Sequence, residues 1–307
     1  MTTHKLFLCL LASSCAFAAI DKGEWTLSRS DNPDKIRLSL HSEGDHYSFS
    51  NSSDWNASDL KGLDLGTAGK HDVRFTIARD AGAIECDGFV KDGAGAGLFT
   101  FHGNAQYSRQ MADLGFPGVS VDDLFAYTMH DVSLNFVREI KAVGVSGLDR
   151  GKLIAFRIHG VTPDFIRGIH AAGVNENEAD KFVAFRIHGV SPEFVRDLHA
   201  AGVSESEGDK LIAFRIHGVS PEFVKGLSAE GLRSTDSEKL IAFRIHGVSP
   251  EFIGQISHLG YPNPDPEKLI AMRIHGVTPE YIEKLRARGM QNLTIDQLIN
   301  LRIHGID

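Results

Sequence analysis

The chain has 307 residues, with 32 Lys and Arg against 40 Asp and Glu, a formal net charge of −8, and 42% hydrophobic residues. That balance excludes a wholly disordered chain. It also gives no global attraction to nucleic acid, so a polyanion partner would need a local basic face. The length fits one large domain or two ordinary ones.

At the start, Lys5 precedes the apolar run 6–12, which is followed by Ala16-Phe17-Ala18. A basic start, a short apolar core and a small-x-small site predict a signal peptide over 1–18, and hence a periplasmic or secreted protein. The run is too short to span a bilayer and no second stretch is long enough, so no transmembrane segment is expected in the mature chain. Cys15, after Ala12-Ser13-Ser14, leaves lipoprotein anchoring as an alternative. Once Cys9 and Cys15 leave with the leader, Cys86 remains alone and reads as a small apolar strand residue.

Residues 19–102 alternate polar and apolar side chains between turn-forming residues. They predict a small antiparallel β domain with strands around 25–27, 36–40, 47–49, 73–77 and 84–86. The run Gly93-Ala94-Gly95-Ala96-Gly97 reads as a flexible hairpin connection between 88–90 and 98–101. It lacks the Gly-Lys-Ser/Thr of a phosphate loop.

Residues 103–307 are periodic. His130, His159, His188, His217, His246, His275 and His304 recur every 29 residues, and so do Gly115, Gly144, Gly173, Gly202, Gly231, Gly260 and Gly289. Two columns with one period define an array of two-helix repeats. Ser191 and its equivalents Thr162, Ser220, Ser249 and Thr278 suit the N-cap of the first helix, with Pro next at N1 and an acid after it. The periodic Gly suits a left-handed helix end. The second helix is capped by Ser120, Asp149, Asp236, Asp265 or Thr294 and ends at the His-Gly pair. Helices of about ten residues are not stable alone. Val190, Phe194, Val195 and Leu198 of the first helix, and Leu211, Ile212, Ala213, Phe214 and Ile216 of the second, are therefore expected to be buried between repeats. The fold class is α+β: a small antiparallel β domain followed by an α-solenoid of 29-residue two-helix repeats. The degenerate first copy near Gly103 and the polar Gln297 and Asn300 of the last fit terminal caps.

A β segment followed by Arg-Ile-His-Gly-Val-Thr/Ser-Pro-Glu-Phe repeats resembles the extracytoplasmic repeat region of β-lactam-sensor-type integral-membrane zinc peptidases. Similar repeats occur in stand-alone exported bacterial proteins. The resemblance covers roughly 20–307 and implies an envelope or sensory context. The peptidase chemistry does not carry over, because the chain has no His-Glu-x-x-His.

No residue pattern demands catalysis, a cofactor or a metal. Equivalent histidines in a stack point the same way and do not converge on one ion. The arginines Arg157, Arg186, Arg215, Arg244, Arg273 and Arg302 recur seven residues before the acids Asp164, Glu193, Glu222, Glu251 and Glu280. Matched numbers point to an Arg–carboxylate ladder between repeats; the alternative is an exposed cationic strip for an anionic polymer. The acidic loops, including Glu176, Glu178, Asp180, Glu205, Glu207 and Asp209, read as a solvated ridge. Position 197, with Gly168, Gly226, Gln255 and Lys284 as equivalents, is the variable column expected to carry specificity.

The expected function is a non-enzymatic scaffold for protein–protein interaction in the bacterial envelope, its partner an envelope or secreted protein and not nucleic acid. The alternatives are a sensor or binding module for a cell-wall fragment or other anionic ligand, a mechanical spacer, and a hydrolase in the β domain using His46, Asp54 or His71.

Overall fold

The structure, a computed structural model, describes residues 20–44, 47–233 and 236–306. The expected leader and His46 lie outside these residues. The chain divides into two compact units, Met1–Arg138 and Glu139–Asp307.

In the first unit, six strands form one antiparallel sheet: β1 (Lys22–Arg29), β2 (Lys35–Gly44), β3 (Tyr47–Asn56), β4 (His71–Arg79), β5 (Gly82–Lys91) and β6 (Ala94–Gly103), in the order β3-β2-β1-β6-β5-β4. Two three-stranded meanders are thus joined through β1 and β6. Alternate residues bury one face, with Trp25, Leu27, Leu38, Leu40, Phe75, Ile77, Ile84 and Cys86 in the core. Trp25 sits opposite Gly97, which in turn sits opposite Gly88. A Cβ on Gly97 would lie 2.0 Å from the Asp87 carbonyl oxygen and 2.7 Å from the Trp25 indole nitrogen. The strand glycines are therefore the floor on which the indole lies. This corrects the reading of 93–97 as a connection: the turn is Asp92–Gly93, and Gly95 and Gly97 are strand residues.

The first unit continues past the expected boundary at 102/103. It includes α1 (Ala105–Asp113) and α2 (Val121–Met129). Phe125 of α2 stacks on Phe99 at 5.9 Å and meets Phe49 and Phe101 edge-on at 5.1 and 5.2 Å. Arg79, at the end of β4, pairs with Asp59 and with Asp131 beyond α2. The first, degenerate helix pair has no preceding repeat, and its α2 packs against β4, β5 and β6 instead.

The second unit begins within α3 (Leu134–Ala142), followed by α4 (Arg150–His159), α5 (Pro163–Ala171), α6 (Ala179–His188), α7 (Pro192–Ala200), α8 (Gly208–His217), α9 (Pro221–Ala229), α10 (Ser237–His246), α11 (Pro250–His258), α12 (Pro266–Ile274), α13 (Pro279–Ala287) and α14 (Ile295–Ile303). Two rows form. Second helices contact second helices from α4 through α14, and first helices contact first helices from α5 through α13. The capping chemistry holds residue by residue. The hydroxyls of Thr162, Ser191, Ser220, Ser249 and Thr278 each accept the backbone N–H three residues on, and Pro follows at N1. Every periodic Gly has positive φ, from 80° at Gly144 to 97° at Gly202.

Burial follows the expected pattern on the first helices, where Val190, Phe194, Val195 and Leu198 are buried. On the second helices it departs once per repeat. Leu211 and Phe214 are fully buried and Ile212 and Ala213 are half-buried, but Ile216 is exposed. Phe214 and Ile216 are two residues apart, about 200° around a 3.6-residue helix, so a neighbour that covers one leaves the other outside.

Candidate functional site

The exposed isoleucine is a column. Ile158, Ile187, Ile216, Ile245, Ile274 and Ile303 are 54–58% exposed, each in the last turn of a second helix. Single exposed apolar residues are ordinary; six equivalent ones along one row form a repeated apolar column. Packed helices stand about 8–10 Å apart, which sets the spacing of the strip.

Each isoleucine follows an arginine of the predicted column. The arginines do stitch repeats, but not to carboxylates. Nε of Arg186, Arg215, Arg244 and Arg273 donates to the backbone carbonyl of His159, His188, His217 and His246 in the preceding repeat, at 3.0, 3.3, 3.3 and 3.3 Å. The guanidinium planes lie over Phe165, Phe194, Phe223 and Phe252, with centroid distances of 4.8–5.0 Å. Arg302 lies likewise over Tyr281. Arg157 holds the same place on α4. The bond satisfies a carbonyl that every helix end leaves without an intrahelical partner, and the ring contact adds a cation–π attraction. Glycine after the histidine makes room for it: a Cβ at Gly189 would lie 2.8 Å from an Arg215 Nη.

The acids stay on their own helices. Glu193 pairs with Arg196 and Asp164 with Arg167, each one turn on. Glu193, Glu222 and Glu280 are held below the usual carboxylate range by their own backbone N–H first and then by the capping hydroxyl. At Glu251 the Ser249 hydroxyl comes first. An acid in the first turn is thus satisfied by the helix end it caps, which leaves the arginines to the carbonyls and rings. Among the described residues no carboxylate pairs with Arg186, Arg215, Arg244 or Arg273.

A charge ladder does run between repeats, built from other residues. Lys152, Lys181, Lys210, Lys239 and Lys268 reach forward to Asp180, Asp209, Glu238, Glu267 and Asp296, the last two pairs at 3.5 and 2.7 Å. Four of the six loop acids named above, Glu176, Asp180, Glu205 and Asp209, are therefore neutralised or used locally. Glu176 and Glu205 accept backbone N–H groups that open α6 and α8. The signal was legible as an acid–Lys dipeptide repeated at 29 residues, with the lysine of one copy facing the acid of the next.

The variable column is not a plain surface feature. A Cβ at Gly168 or Gly226 would lie 2.7 Å from Cγ of Pro192 or Pro250 in the next repeat, whereas Asp197 is exposed. Its variation is tied to repeat packing.

In the first unit, Asp54 is bound by Arg37 and Ser30, and His71 by the carbonyls of Gly69 and Asp64. They lie on opposite edge strands of the sheet order. Burial pushes the Cys86 thiol up to about 12, so it is not a nucleophile at neutral pH. A cleft of about 590 Å³ opens between Arg29, Lys35, Leu65, Thr67 and Gly93. Among the described residues no group of three or more His, Cys, Asp or Glu side chains is placed to hold a metal, and no helix is long and apolar enough to cross a membrane.

Fold and surface define the class: an α+β chain with a six-stranded antiparallel sheet followed by serial two-helix repeats. No model of a known protein family matches it, and neither does any curated protein sequence.

Proposed function

We propose that the chain is a non-enzymatic, extracytoplasmic repeat scaffold that mediates protein–protein interaction in the bacterial envelope. The observation that carries this reading is the isoleucine column. A buried position explains an apolar residue by packing; six equivalent exposed positions need a partner to cover them. A repeat array offers such a strip at fixed spacing along an extended face. The leader pattern and the likeness to the repeat region of β-lactam-sensor-type peptidases supply the extracytoplasmic setting.

A second reading, an envelope sensor or binding module for an anionic ligand, is favoured by the exposed guanidiniums of Arg186, Arg215 and Arg244. The test compares residues 20–307 with the triple substitution I187S/I216S/I245S in capture from solubilised envelope. Proteins retained by the wild type through high salt and lost from the triple variant support the scaffold. Equal retention by both overturns it.

A further inference from the structure

We propose that the isoleucine and arginine columns form a single strip whose occupant is an acidic, amphipathic helix of a partner protein. This rests on the protein-binding reading and specifies the chemistry of the partner.

The apolar half of the strip is Ile158 through Ile303, and the cationic half is the arginine one position earlier on the same helical turn. The arginines are held in place rather than free to swing. In Arg186, Arg215, Arg244 and Arg273, Nε is committed to a carbonyl and the plane to an aromatic ring. Nε carries one of the five N–H groups of a guanidinium, and the Nη groups carry the rest. Anchoring the plane lowers the ordering entropy of a further contact.

Among the described residues, the charge of Arg186, Arg215, Arg244 and Arg273 is not cancelled by a carboxylate. The carboxylates nearest in sequence are engaged elsewhere: Asp180, Asp209, Glu238, Glu267 and Asp296 by the lysine ladder, Asp164 and Glu193 by arginines of their own helices. A chain of net charge −8 thus presents a local row of cations flanking apolar side chains. A partner that fits must bring carboxylates and apolar groups together.

Spacing selects the form. The isoleucines recur about every 8–10 Å. Seven residues of a helix rise about 10.5 Å and return to nearly the same face. Three residues of a strand cover about 10 Å, but an odd step turns the next side chain to the opposite face. A helix with apolar residues at heptad spacing and acids beside them meets each repeat in turn. A glycan lacks the apolar face, and an anionic membrane surface repels the chain's overall charge.

The probes are labelled helical peptides of about 28 residues, four heptads and therefore four repeats long. One carries Leu at heptad spacing flanked by Glu, and the other the same Leu flanked by Lys. Binding to residues 20–307 is read by fluorescence anisotropy at ~50 mM and ~500 mM salt. The acidic peptide is expected to bind about tenfold or more tightly than the basic one at low salt, with the preference shrinking at high salt. The I187S/I216S/I245S variant should lose at least about tenfold for the acidic peptide. R215Q/R244Q should lose the preference for acid, and its melting temperature controls for the ring and carbonyl contacts it removes. The comparison of the two peptides on the wild type stands even if that variant misfolds.

Equal binding of the two peptides, with both dependent on the isoleucines, overturns the acidic partner and leaves the scaffold standing. Binding of phosphatidylglycerol vesicles or polygalacturonate with the same dependence on Arg215 and Arg244 and none on the isoleucines overturns it in favour of a membrane or a glycan. Binding of neither peptide overturns it as well. If the triple variant then also retains the envelope proteins that the wild type does, the scaffold reading falls with it.

Discussion

The sheet unit and the repeat unit solve burial differently. In the sheet, one face closes over one core, and the large exposed apolar residues Phe89 and Leu98 are two side chains on the outer face. In the array, every helix pair needs a neighbour on both sides, so each position is decided once and copied. A buried phenylalanine becomes a column of buried rings, Phe156, Phe185, Phe214 and Phe243. An exposed isoleucine becomes a column too. A surface residue in the sheet stays a local fact, whereas the same choice in a repeat becomes a strip long enough to hold another chain.

The strongest way to break the sheet half of this comparison is Trp25→Ala. The indole is buried against Gly88, Gly95 and Gly97, packs edge-on to Phe75 at 5.1 Å and donates to the Asp87 carbonyl. The glycines cannot fill the void, so a loss of about 3–5 kcal/mol is expected. The chain's two tryptophans, Trp25 and Trp55, both lie in the sheet. Urea unfolding followed by Trp55 fluorescence therefore reports this unit directly. An unchanged midpoint would remove the indole from the core.

The repeat half is sharpened by two substitutions in one helix. Phe214→Ala removes a fully buried ring and should cost about 3 kcal/mol or more. Ile216→Ser, two residues on, should stay within about 0.5 kcal/mol, because water already covers much of that side chain. Thermal melts at 222 nm decide it. Comparable losses would mean that the isoleucine column is packing and not a binding strip.

The sequence carried the repeat architecture because caps, proline and glycine act locally. Ser191, Pro192 and Gly202 each state their role within one turn of helix. It carried the sheet in outline, but not that Gly95 and Gly97 belong to a strand, since their reason is the indole of Trp25 some seventy residues away. The arginine ladder was legible as a period and misread as to partner. Spacing showed that Arg215 recurs with Glu222, but not that a helix N-terminus already satisfies the acid, nor that a carbonyl and the Phe194 ring wait in the preceding repeat. Ile216 was placed inside because it is apolar. Its phase relative to Leu211 and Phe214 puts it outside. A helical projection of the second helix would have exposed the column that now carries the functional reading.

At alkaline pH one buried group, Cys86, tests the sheet. Burial raises the Cys86 thiol from an ordinary 9.0 to about 12. Above pH 9 the unfolded chain releases a proton that the folded chain keeps, so stability is complete below that value and falls as pH rises toward 12. The slope from this one group is about 1.4 kcal/mol per pH unit within that window. Comparing Cys86→Ala with the wild type isolates it from the lysines and tyrosines titrating nearby. In the repeats, Ser191→Ala removes one cap and should cost about 1 kcal/mol, read as a lowered melting temperature.

The smallest effect is the acid response of the repeats, and it separates the two kinds of carboxylate in the array. Glu193, Glu222, Glu251 and Glu280 sit below their ordinary value of 4.5 because helix-end N–H groups and hydroxyls hold the charged form. A depressed folded-state value contributes stability that is present above 4.5 and lost as pH falls through the folded value. The acids of the lysine ladder contribute surface ion pairs, which salt screens. The cap bonds are made at short range to the helix's own groups and resist salt. The difference in helix melting between pH ~6 and pH ~3 should therefore shrink but persist at ~1 M salt. The part that persists should shrink in E193Q/E222Q/E251Q/E280Q, where the amide cannot titrate. If high salt abolishes the whole acid response in the wild type, the first-turn glutamates act only as surface charges, and the helix-end groups are not what holds them.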